Sequence, residues 1–212
     1  MVLNDPEIMA LLLSAAAIAF THTLMGPDHY LPFVSVAVAR NWGWQRLLLI
    51  TLLCGAGHLV GSVILGLSGI ALQAELSGLV TIENWRGDLA AWLLFSAGLL
   101  YLAWGIRHAG RRHVHRHSSS HPQWLIFIIF ILGPCEPLIP LLMYPAAKAS
   151  TGGVLLVTLV FGLVTIVTML LAVACSYAGL QKIRFRRLEH YGHAMAGATL
   201  SACGASMLFL GL

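Results

Sequence analysis

Charge is what this chain has least of. Asp, Glu, Lys and Arg together make up 9% of its 212 residues, against about 25% in an ordinary soluble domain. Hydrophobic residues supply 58% and the mean hydropathy is +0.85. Such a chain cannot dress a folded surface for water, so an integral membrane protein is expected. The opening residues lack a basic flank and carry two acids, Asp5 and Glu7. That does not fit a cleaved secretory signal, and the first apolar stretch is expected to stay. Cysteine is sparse too: Cys54, Cys135, Cys175 and Cys203 all lie inside apolar runs. They read as small buried hydrophobes and not as a secreted disulfide framework. The basic residues sit in short segments between apolar runs. That argues against nucleic acid as a partner and leaves the lipid bilayer. No enzymatic activity and no prosthetic group are expected.

What the chain does have is long apolar runs. A spanning helix needs about 20 such residues, and six stretches qualify. They run from Ile8 to Ala39, Leu47 to Leu72, Leu89 to Ile106, Gln123 to Lys148, Val154 to Ala178 and Ala194 to Leu212. The last is rich in Gly, Ala and Ser, which suits close helix packing. Of the twelve Lys and Arg residues, only Arg86 and Lys148 fall on one side of this layout. The others lie between stretches one and two, three and four, and five and six. The positive-inside rule then places both termini outward and the three basic loops in the cytoplasm, across a plasma (inner) membrane.

Two of the six stretches are interrupted. Gly26-Pro27-Asp28-His29-Tyr30-Leu31-Pro32 breaks the first, and Gly133-Pro134-Cys135-Glu136-Pro137-Leu138-Ile139-Pro140 breaks the fourth. Proline removes a backbone donor and clashes with the preceding turn, so each is a natural helix break. The fold class expected is an all-α polytopic membrane protein. Its six transmembrane helices form two inverted three-helix repeats, residues 1–106 and 123–212, with proline-broken helices 1 and 4 and a loop over 107–122 between them. Broken helices meeting at mid-membrane recur among transporters.

A carboxylate in hydrocarbon costs about 2.5–3.5 kcal/mol at a helix centre, and such residues persist where they do work. Counting from the basic loops at 1.5 Å per residue puts Asp28, His58, Cys135 and Glu136 each roughly 18–20 Å deep, near the bilayer middle. Of the eight acids, only Asp28 and Glu136 are expected to be deep. Imidazole, carboxylate and thiolate form a borderline donor set suited to nickel, cobalt, zinc or copper. The expected metal ligands are Asp28, His29, His58, Glu136 and Cys135. His22 joins them if the helix stays regular across the break. His58 also fits a bland role, as a packed histidine bonded to a neighbouring span beside Gly57 and Gly61. A second feature is the loop holding His108, His113, His115, His117 and His121, half of the ten histidines; such tracts collect borderline cations weakly.

These residues carry a resemblance. His22 with Gly26-Pro27-Asp28-His29, Gly57-His58 and Gly133-Pro134-Cys135 resemble the nickel/cobalt transporter group, which includes permeases, efflux proteins with a His-rich loop and smaller urease-accessory-type members. More distant relatives are the sulfite-exporter-like and cytochrome-biogenesis thiol-disulfide membrane proteins. The resemblance implies a carrier of Ni2+ or Co2+ with first-helix His and Asp ligands, here His22, Asp28 and His29. Between His22 and the Asp-His pair stand five residues where the permease signature has four, and six spans are closer to the smaller members. Two alternatives remain: a sulfite-type anion exporter, and a thiol-disulfide electron-transfer protein using Cys135.

Overall fold

The structure, a computed structural model, describes residues 6–72, 76–109, 121–133, 137–147, 150–182 and 191–210. The described residues are helical throughout apart from short turns. Five of the helices are long and apolar enough to cross a membrane. We label the helices α1 (Pro6–Met25), α2 (Leu31–Ala39), α3 (Trp44–Ala71), α4 (Leu76–His108), α5 (His121–Leu132), α6 (Leu138–Ala147), α7 (Thr151–Lys182) and α8 (Gly192–Leu210).

The first stretch breaks where proline predicts. α1 ends at Met25, and Gly26 is extended (φ −82°, ψ 97°), the conformation favoured before a proline. Pro27–His29 form one 3-10 turn, and α2 then starts with Pro32 in its first turn, where a missing N–H costs nothing. In the fourth stretch α5 stops at Leu132 and α6 begins at Leu138, with residues 134–136 outside the described ones. At 12 and 10 residues, α5 and α6 each cover roughly half of a 30 Å hydrocarbon layer.

The third stretch differs from its expected bounds. Hydropathy alone starts it at Leu89, but α4 begins at Leu76 and takes Glu83, Arg86 and Asp88 into the helix. Glu83, which is not one of the two acids expected to be deep, lies inside this helix and is 1% exposed within the protein. Hydropathy averages over neighbours and does not register that Glu83 and Arg86 pair one helical turn apart, so it starts the stretch after them.

Small residues set the packing. Among the described residues α4 and α8 form the most extensive helix pair, and they run antiparallel. Gly98 and Gly105 of α4, and Gly197 and Gly204 of α8, recur every seven residues and so face one way. A Cβ on Gly98 would stand 2.4 Å from the Ser201 nitrogen, and one on Gly197 would stand 2.2 Å from that of Leu102. The backbones touch because neither helix has a side chain there. α3 and α7 also run antiparallel, with Gly55 against Met169 and Gly162 against Leu59.

The outer surface is apolar as well. On α7, Val157, Phe161, Thr165, Met169, Val173 and Tyr177 face inward. On its opposite side Leu155, Leu159, Leu163, Val167 and Leu171 are exposed. A helix that is apolar all round yet half exposed belongs in lipid.

Candidate metal centre at the helix breaks

The local geometry of the first break turns two side chains back on the helix they follow. α1 runs on to Met25, so His22 stands one turn before its end, and the Gly26 nitrogen donates to the His22 carbonyl at 3.0 Å. The 3-10 turn then reverses His29 onto the break. Its Nδ1 lies 3.3 Å from the Gly26 carbonyl oxygen and 3.2 Å from Asp28 Oδ1. Gly26 is needed here for space, since a Cβ would stand 2.6 Å from His29 Nδ1 and 2.8 Å from Asp28 Oδ1.

Three imidazoles follow one another across this point. The His22 and His29 rings are 5.0 Å apart between centroids, and the His29 and His58 rings are 5.4 Å apart, both edge to face. The helix is not regular between His22 and His29, yet the turn brings His22 onto the same group. The one-residue departure in spacing does not keep it away.

His58 ties the first break to the second. It sits on α3, 4% exposed, and its Nδ1 lies 3.2 Å from the Phe130 carbonyl oxygen near the end of α5. A Cβ on Gly133 would be 3.2 Å from that same nitrogen. Gly133, at the second break, therefore stands against the histidine that touches the first. The bland role foreseen for His58, a bond to a neighbouring span, is real but occupies only one of its nitrogens.

Tautomers follow from the partners. Carbonyl oxygens only accept, so Nδ1 of His29 and of His58 must each carry the hydrogen and donate it. Their Nε2 atoms are the remaining ring nitrogens. Those of His22, His29 and His58 are all buried, and among the described residues none of them has a hydrogen-bond partner. A ligating histidine is commonly arranged in this way, with one nitrogen held by a carbonyl or carboxylate and the other left open.

The set as described is not a finished cage. Among the described residues no three His, Cys, Asp or Glu side chains are grouped to hold a metal ion. Cys135 and Glu136, both expected ligands, lie outside the described residues, as does 110–120 of the His-rich loop. The other cysteines are free: Cys54 and Cys203 are buried in the apolar core with Phe33, Phe130 and Met169, and Cys175 is exposed on the outer surface.

Sequence reasoning missed a neighbouring group. Glu83 accepts hydrogen bonds from Ser62 Oγ at 2.7 Å and from Arg86, and Arg86 Nη2 donates to the Ile131 carbonyl at 2.9 Å. A cleft of about 310 Å³ lies alongside, lined by Val80, Glu83, Asn84, Pro137, Ile139 and Pro140. The signal available was a Glu and an Arg three residues apart, one turn of a helix, in a chain with few charges.

No protein-family model, no curated protein and no solved structure matches this chain. The class of protein that fold and composition define is a helical membrane protein.

Proposed function

We propose that this chain is a membrane carrier for a divalent transition-metal ion of the nickel/cobalt class. Asp28, His29 and His58 are its principal ligands, His22 joins them, and Cys135 and Glu136 complete the set from the second break. The observation that carries this reading is the trio of buried Nε2 atoms, without partners among the described residues, beside a carboxylate. A buried polar atom left unpaired costs about 1–3 kcal/mol, and lipid offers no water to relieve it. Three such atoms in one group are best accounted for by a cation that visits them.

The polarity of the surroundings favours a cation over sulfite. α1 and α5 end at the breaks while α2 and α6 begin there, so the helix ends bring both partial charges. The choice falls to Asp28 and the facing carbonyls. The carbonyls of Gly26, just past α1, and of Phe130, in the last turn of α5, already face the imidazoles. An anion would meet these carbonyls and Asp28. The thiol-disulfide reading needs a second cysteine beside Cys135, and Cys54 and Cys203 are packed in the apolar core.

We read the chain as six spans in two inverted repeats, with α5 and α6 together forming the fourth. The packing has the paired character such a repeat gives. α1 packs on α7 as α5 packs on α3, and α2 packs on α8 as α6 packs on α4. Gly55 and Gly162, in the same register as Gly26 and Gly133, each receive a side chain from the opposite helix. The basic loops face the cytoplasm in this reading, and both termini face outward. The cleft beside Glu83 and Pro137 gives a hydrated ion a way to the second break, and rocking of one repeat against the other alternates access.

The test is uptake of nickel or cobalt into proteoliposomes containing the full chain. The wild type should move the ion, and Asp28→Ala should not, while remaining folded in detergent. Full transport by Asp28→Ala would overturn the reading.

A further inference from the structure

The second break is held by a residue the metal-carrier reading does not use. Where α5 stops, its helical ladder ends. The Gly133 nitrogen still donates to the Ile129 and Phe130 carbonyls at 2.9 and 3.2 Å, and in lipid no water supplies further partners. Two consecutive carbonyls there are nonetheless engaged. Phe130 accepts from His58 Nδ1 at 3.2 Å, and Ile131 accepts from Arg86 Nη2 at 2.9 Å. The other arm of the guanidinium donates to Glu83 Oε2, and Ser62 on α3 donates to Glu83 Oε1 at 2.7 Å. Ser62 is one turn along α3 from His58, so the same helix carries the histidine and one anchor of the ion pair.

Glycine makes the reach possible. A Cβ on Gly61 would stand 2.9 Å from Arg86 Nη2 and 3.0 Å from the Ile131 oxygen. One on Gly57 would stand 2.8 Å from the Ile131 side chain. The end of α5 is thereby gripped between α3 and α4. Arginine suits this task because its planar fork can serve a carboxylate and a carbonyl at once, which a lysine ammonium on a flexible stem does less well. The ion pair also costs the protein less than either charge alone, since a lone buried charge is strongly disfavoured.

Resting on the metal-carrier reading, we propose that Arg86, charge-balanced by Glu83, is a positioning residue of the metal centre. It fixes the end of α5, so that the neighbouring Phe130 carbonyl holds the Nδ1 hydrogen of His58 and Nε2 is left as the lone-pair nitrogen. Glu83 has a second part. It cancels a guanidinium charge that would otherwise stand one residue away from a cation ligand's partner and repel the ion.

The experiment uses the full chain in detergent, with Arg86→Lys and Gly61→Ala. The first keeps the charge and loses the fork. The second keeps both charged residues and pushes a methyl group into the contact, on a helix that tolerates alanine well. Two quantities are read: nickel affinity by titration calorimetry, and the His58 tautomer by nitrogen NMR of histidine-labelled protein, assigned with His58→Asn. Both variants should bind nickel about 10–100-fold more weakly, the usual effect of losing an outer partner of a ligand. Both should also lose the single Nδ1–H form of His58. If Arg86→Lys does not fold, Gly61→Ala decides alone. Unchanged affinity and an unchanged tautomer would overturn the proposal. A wild type that binds no nickel, with a tautomer that still shifts in the variants, would sink the carrier reading and leave the positioning role standing.

Discussion

His29 and His58 meet edge to face, 5.4 Å between ring centroids, and through them the two helix breaks of this chain become one place. His29 belongs to the turn that follows α1. His58 leans on the Phe130 carbonyl near the end of α5 and on Gly133. Neither break could build this group by itself.

If the imidazoles hold a cation, protons must compete for the same lone pairs. Ligating histidine has to be neutral at the ligating nitrogen, so metal binding is expected to weaken as pH falls and to strengthen as it rises. Nickel titrations at several pH values, with release of protons measured alongside, check the sign. Affinity that stays flat as the pH is lowered, down to the point where the protein unfolds, would speak against histidine ligation.

Ligand substitutions should rank by placement. His29→Ala and His58→Ala are expected to lower nickel affinity by more than the roughly 10–100-fold that an outer partner contributes. His22→Ala, at a less buried ring on the far side of His29, should cost less. Affinities of the three purified variants give the order.

Glycine substitutions separate packing from chemistry. Gly197→Ala puts a methyl group 2.2 Å from the Leu102 nitrogen, and overpacking of that kind costs about 1–3 kcal/mol. Thermal unfolding in detergent should move down accordingly. Gly179→Ala meets nothing within 4 Å and should be neutral, or stabilising by up to ~1 kcal/mol from helix propensity. Gly26→Ala is different again, because its Cβ would strike His29 Nδ1 and Asp28 Oδ1. It should damage metal binding more than stability.

Cysteine replacement addresses the electron-transfer alternative. Serine at Cys54, Cys175 and Cys203 together should leave nickel uptake within about twofold of wild type, since none of the three is a ligand in this account. Loss of uptake in that triple variant, with the protein still folded, would require a thiol role for one of them.

Much of this arrangement could be foreseen from residues alone, and the reasons are physical. Proline announces its own effect on a helix, so the break after Met25 was legible. Apolar runs announce lipid, so the courses of α3, α7 and α8 were legible too. The histidine group was legible only as a coincidence of depth, because whether His22 reaches His29 depends on how tightly a 3-10 turn folds back. The grip on α5 was not legible at all. Glu83 and Arg86 interrupt the hydropathy and read as loop, and the atom Arg86 seeks is the Ile131 backbone carbonyl, which has no letter of its own in a sequence.

The most direct measurement is nickel K-edge X-ray absorption on the purified full chain, wild type against His58→Ala. The account expects a bound ion whose spectrum shows imidazole scattering from at least two histidines, with that scattering reduced in the variant. A wild-type spectrum of fully hydrated nickel, or one that His58→Ala leaves unchanged, would contradict it.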